Sequence, residues 1–184
     1  MPVQTKRQVR RGTAIAQETD SSESIGLLTF AVGDQDFALP LGAVEEVLRL
    51  PADIAILPDA EAVVVGTTAF RNATLPLLSA SALLGLPTKP STARSRVIVL
   101  RIGAHRIGLI VDEMGAVLRA GPADIVLVPH VLSRGRAEAK IQAICRTDRG
   151  ARLVSVLSTD HLFRDDITQR LLQGGQLFLE LLQA

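Results

Sequence analysis

The chain has no tryptophan and no tyrosine, and five phenylalanines are its whole aromatic supply. Platforms on which nucleobases or sugar rings could stack are therefore scarce. One cysteine, Cys145, excludes an internal disulfide and fits a reducing compartment, so a cytoplasmic location is expected. The three histidines, His105, His130 and His161, stand far apart, and no metal-ligand spacing arises from them. No metal and no cofactor is expected. Excess charge is missing too: 20 basic against 19 acidic side chains leave +1. Neutralising a phosphate backbone needs clustered surplus Lys and Arg, so nucleic acid is not an expected partner. No apolar run approaches the roughly 18 residues of a spanning helix. The N-terminal MPVQTKRQVRRG lacks the apolar stretch of a secretory signal, and direct membrane insertion is not expected.

What the chain does have is apolar mass. Hydrophobic residues make up 47% of 184, and a chain this long buries roughly 70% of its unfolded surface without staples. The ends differ from the middle. Residues 1–24 are polar, with Lys6, Arg7, Arg10 and Arg11 ahead of a run of hydroxyl and acidic side chains. Too little there can be buried to offset ordering entropy, so a flexible tail is expected. Residues 165–184 are expected to be helical. Ile167, Leu171 and Leu172 recur at helical spacing behind the acidic start Asp165-Asp166, and Gly174-Gly175 breaks the run.

The body between them is duplicated. Pro51-Ala-Asp-Ile-Ala-Ile-Leu-Pro58 recurs as Pro122-Ala-Asp-Ile-Val-Leu-Val-Pro129, with five of eight positions identical and the rest apolar. Upstream, Val47-Leu48-Arg49 matches Val117-Leu118-Arg119 and the turn glycine Gly33 matches Gly103. Ordered anchors of this kind imply two related halves, about 25–87 and 95–163. Each half reads alike: a hairpin about Gly33 or Gly103, the Pro-Ala-Asp-Ile turn, a second hairpin, and a short helix. Some five short strands per half predict an all-β fold of two small barrels or a double β-sheet unit, barrel closure hiding edges that would otherwise be exposed.

Catalytic equipment is poor, and no catalytic residue is expected. Gly103 and Gly108 lie in a hairpin and are followed by Leu109-Ile110, so a phosphate-binding loop is ruled out. Asp160-His161 reads as a polar pair on a helix face. Cys145 reads as a small core residue within an alternating strand. Asp112 and Glu113 follow a buried strand, where turn chemistry accounts for them. Less easily explained by packing are Glu46, among Val44, Val47 and Leu48, and Arg71, after Phe70 at a hairpin tip. A carboxylate and a guanidinium on one small unit either pair as a fork or are two unrelated solvated charges, and spacing leaves both open.

These residues resemble the CheW-like family. Phe30-Ala-Val-Gly-Asp-Gln-Asp-Phe-Ala-Leu-Pro40 is similar to its opening hairpin, and Val44-Glu45-Glu46-Val47 to its Val-x-Glu-Val signature. Leu57-Pro58-Asp59-Ala60, Val65-Gly66, Arg71 and Leu75-Pro76-Leu77 follow in the family's order, and Gly108-Leu-Ile-Val-Asp112 resembles its Gly-Leu-x-Val-Asp. The chain departs at Ala69-Phe70-Arg71-Asn72, where the family has Asn-Leu-Arg-Gly, and at Ser79-Ala80, where it has Asp-Leu. The resemblance covers about residues 25–164. It implies two intertwined five-stranded SH3-like barrels sharing an apolar core, and a non-enzymatic adaptor between methyl-accepting chemoreceptors and the histidine kinase CheA. It places the receptor-binding surface at Val44, Glu46, Phe70 and Arg71 and assigns no kinase-binding residue. Alternatives are a scaffold of a specialised non-motility cluster, a small-ligand-binding barrel, and a regulatory piece of a larger kinase. The last lacks an ATP-binding glycine loop and a phospho-acceptor helix.

Overall fold

Hydrophobic alternation within apparently continuous apolar runs explains the architecture. In Val97-Ile98-Val99-Leu100, the two valines join a cluster with Leu75 and Leu77. Ile98 and Leu100 point the other way, into a second cluster with Phe30, Leu39 and Leu109. A strand whose two faces are both buried reads as one apolar run, because successive side chains take opposite faces. The computed structural model describes residues 24–57, 62–128 and 140–163. The expected N-terminal tail and C-terminal helix lie outside the described residues.

Eleven strands run in chain order among the described residues. The first seven are β1 (Ile25–Val32), β2 (Gln35–Pro40), β3 (Val44–Arg49), β4 (Val64–Phe70), β5 (Ala73–Ser79), β6 (Arg96–Ile102) and β7 (His105–Val111). The rest are β8 (Glu113–Ala120), β9 (Ile125–Leu127), β10 (Ile141–Thr147) and β11 (Arg152–Leu157). Two short helices, α1 (Ala80–Leu84) and α2 (Thr159–Leu162), follow β5 and β11. Ser79 caps α1, its hydroxyl accepting from the Ala82 N–H, and Gly85 ends it in the left-handed conformation at φ 69°.

The strands form two sheets of one topology: β8-β1-β2-β11-β10-β9 and β3-β6-β7-β5-β4. Each contains one parallel junction, β2 with β11 and β7 with β5. The opening hairpin of each half is exchanged: β1–β2 completes the sheet of the second half, and β6–β7 that of the first. This is the all-β, intertwined pair of SH3-like units implied by the family resemblance. The strand count differs on one side, where six replace the expected five. The extra strand, β9, comes from the second copy of the repeated octapeptide. In the first copy the equivalent residue, Ala55, makes only an isolated bridge to Thr67.

Three apolar clusters result. The largest lies between the sheets and takes Phe30, Phe37, Leu78, Leu109, Leu157 and Leu162 from both halves. Each unit also has its own interior: Leu27, Ala38, Ala143, Cys145, Val154 and Val156 in one, and Phe70, Leu75, Leu77, Val97 and Val99 in the other. That second interior is full. A Cβ at Gly108 would stand 2.6 Å from Leu77 Cδ2 and 2.8 Å from Val97 Cγ1. Cys145 is buried as expected, with 1% exposure. Asp112 holds the swap in place, its carboxylate accepting the Gly33 N–H at 2.7 Å across the two sheets.

Candidate functional site

The hairpin tip that follows β4 reaches the edge strand β3, and a charge cluster joins the two. On β3 the register shifts between Val44, opposite Leu100, and Glu46, opposite Val99. A bulge therefore makes Glu45 and Glu46 share one partner. Regular alternation would send consecutive carboxylates to opposite faces; the extra residue lets both reach one guanidinium.

That guanidinium is Arg71. Phe70 pairs with Ala73, leaving a two-residue loop of Arg71 and Asn72, both left-handed at φ 46° and 61°. Positive φ at both central positions is the hairpin geometry whose twist suits the strands. Asn72 takes it readily where the family has glycine. Arg71 is a less usual occupant, because a Cβ in this region crowds the carbonyl at about 1–2 kcal/mol.

The structure settles the alternative left open by spacing: Glu46 and Arg71 are an ion pair. Arg71 Nη2 donates to Glu46 Oε2 at 2.5 Å, and its other terminal nitrogen, Nη1, to Glu45 Oε1 at 3.2 Å. The geometry is a fork spread over two carboxylates rather than a bidentate grip on one. The guanidinium also lies over the Phe70 ring, 5.1 Å from its centroid. Phe70 itself is 8% exposed and belongs to the unit's interior, so it supports Arg71 from beneath. Val44 is half-buried and packs against the core shared by the sheets.

Two residues of the cluster escape the sequence reading. Glu45 is the most covered, with 14% of its side chain exposed, and Arg106 of β7 clasps it from the other side. Arg106 Nε lies 2.8 Å from Oε2 and 3.0 Å from Oε1. This hydrogen bond holds the Glu45 carboxyl below its usual range; burial opposes it, and the charges of Arg106, Arg71 and Arg101 add to the lowering. The same bond raises Arg106. Glu45 stands inside the Val44–Val47 signature and was visible as a residue. Arg106 is 61 positions away, and no local pattern connects them.

The depressed Glu45 has a pH consequence with a definite sign. Its contribution to stability is present above the ordinary glutamate range and is lost as pH falls through its own lower value. Urea titrations between neutral and acidic pH should show wild-type stability declining on acidification, with Glu45→Gln declining less. An identical pH slope in the variant would remove Glu45 from the linkage.

Comparison with known proteins bears on this arrangement. Residues 26–166 match the family described as the CheW-like domain. The chain is similar to the chemotaxis protein CheW of Rhizobium meliloti, 35% identical over 107 residues, 58% of this chain and 68% of that protein. The chemotaxis protein CheW of Helicobacter pylori is 25% identical over 124 residues, 67% of this chain and 74% of its own length. In fold the chain is similar to the scaffolding protein TtCheW from Thermoanaerobacter tengcongensis. The TM-score is 0.69 at 21% identity, covering 78% of this chain and 94% of that one.

Proposed function

This chain belongs to the CheW-like family, and on that premise we propose that it is a non-enzymatic scaffold coupling methyl-accepting chemoreceptors to the histidine kinase CheA in chemotaxis signalling. The observation that carries the proposal is the Arg71–Glu46 pair, seated on the surface that the family resemblance assigns to the receptor. A receptor segment docking there would meet a preformed charged rim on a rigid sheet. Affinity would come from apolar contact, with the ion pairs fixing the shape of the surface.

Duplication supports a scaffold with two partners. The sixth residue of each repeated octapeptide, Ile56 and Leu127, is an apolar side chain held in solvent, 81% and 75% exposed. Similar faces on both units allow heterologous contacts with another protein of the same fold, and such contacts propagate into rings or chains. The kinase's regulatory domain, of this fold by family resemblance, is the second partner proposed. The packed interior around Gly108 weighs against a small-ligand barrel, which needs an internal cavity. No helix among the described residues is long and apolar enough to cross a membrane, and a cytoplasmic site of action is part of the proposal.

Reconstitution provides the test. Receptor cytoplasmic fragments and purified CheA, mixed with and without this protein, should show receptor-dependent kinase stimulation only when it is present. Stimulation of equal size without it would overturn the proposal.

A further inference from the structure

Beside the Glu46–Arg71 pair, charge is left over. Arg101 of β6 stands directly opposite Arg106 of β7 in the antiparallel register. Opposed residues project from the same face. Arg106 is turned onto Glu45, and Arg71 spans Glu45 and Glu46. Arg101 is exposed, and among the described residues its guanidinium has neither a hydrogen bond nor an ion pair. It lies close enough to Glu45 for its charge to act on that carboxylate. Three guanidiniums thus share a rim with two carboxylates, and the surplus sits on Arg101.

Two like charges directly opposite on adjacent strands are destabilising. A threonine or valine at Arg101 would suit a strand better. Within the fold its charge acts only at a distance on Glu45, which Arg71 and Arg106 already pair, so the guanidinium is left available to something outside the fold. A rim with one positive charge to spare is complementary to a negatively charged partner.

We propose that Arg101 is a specificity-determining residue of the receptor surface, pairing with a carboxylate on the receptor segment that docks beside Glu46 and Arg71. The inference rests on the receptor-coupling reading and deepens it by stating the chemistry of the bound segment: helical or extended, apolar in its contact, with an Asp or Glu at the edge that meets β6.

The full chain carrying Arg101→Thr or Arg101→Glu tests this against two probes, the cytoplasmic fragment of a cognate receptor and the CheA regulatory domain. Receptor affinity should fall about 3- to 5-fold for Arg101→Thr, the size of an exposed ion pair, and further for Arg101→Glu. The wild-type affinity should weaken with added salt and that of Arg101→Thr should do so less. Kinase-domain affinity should not change, and the urea midpoint of Arg101→Thr should be unchanged or higher. Undiminished receptor binding by Arg101→Glu would overturn the assignment while leaving receptor coupling intact. Weakened kinase-domain binding with receptor binding preserved would likewise overturn it. Failure of the wild-type chain to bind the receptor fragment at all would instead sink the coupling reading, and the inference with it.

Discussion

Replacing Gly66 by alanine should destabilise the protein by about 3 kcal/mol, although it adds a single methyl group. Gly66 lies in β4 at φ 152°, a region that L side chains rarely adopt. There a new Cβ would sit 2.4 Å from the Ala55 carbonyl oxygen and 2.8 Å from Ile54 Cγ2. The oxygen cannot step aside cheaply. It accepts the Thr67 N–H at 2.9 Å, and the Ala55 N–H returns the bond to Thr67 at the same distance. Those two bonds fasten the first octapeptide to the sheet, so the methyl must either break the bridge or strain β4. The melting temperature should fall by about 6–12 °C for a chain of this size. Gly33→Ala is the control. Gly33 is also left-handed, at φ 64°, but its Cβ position has nothing within 4 Å. It should lose only the backbone term of about 1–2 kcal/mol. Equal losses for the two variants in urea unfolding would contradict the steric account.

How much of this was legible in the sequence depends on the range of each interaction. The octapeptide repeat announced two equivalent units, and the units do share one topology. Both helices, the four hairpins and the turn glycines follow from local chemistry within a few residues. Exchange of the opening hairpins is another matter. Val97 to Leu100 shows a strand buried on both faces but does not say which sheet receives it. Pairing of β1 with β8 joins residues some ninety positions apart, such as Leu28 with Val117. The repeat also concealed a difference. Gly121 donates its N–H to Asp124 Oδ2 at 3.1 Å, shaping the turn before β9. The first copy has Leu50 and Asp53 at the matching places, and there only the Ala55 bridge forms; nothing in the structure explains the difference.

The charge cluster divides in the same way. Glu46 and Arg71 stood out because each is a charge in an apolar neighbourhood, although spacing could not decide between pairing and solvation. Glu45 was hidden by the strand rule itself: alternation would put it on the face opposite Glu46, and only the bulge brings both to Arg71. Arg106 looked like an ordinary solvated residue of a returning strand. Its partner became known only with the sheet order, which sets β7 two strands from β3.

Arg71→Gly should abolish most receptor-stimulated kinase activity while leaving the stability of the fold nearly unchanged. Two effects oppose each other in stability. Removing the arginine loses ion pairs whose acceptor Glu46 is 37% exposed and whose donor is 60% exposed, and with them the contact over the Phe70 ring, together about 0.5–2 kcal/mol. It also releases a non-glycine residue from φ 46°, a gain of about 1–2 kcal/mol. The balance is close to zero, so a loss of most coupling cannot be assigned to unfolding. Charge reversal then tests the pairing. Arg71→Glu and Glu46→Arg should each weaken receptor coupling, and the double swap should recover part of the loss. Recovery should be incomplete, because the swapped carboxylate at the turn would face Glu45, which Arg71 also contacts at 3.2 Å. Strict additivity in the double variant would show that the two residues act independently. A buried structural pair would behave differently, each single change costing roughly 3–5 kcal/mol with activity falling in proportion. Unchanged kinase stimulation in Arg71→Gly would remove this surface from the receptor site. Retained folding with lost stimulation is the expected result, and it would mean that the strained turn is kept for the contact it presents.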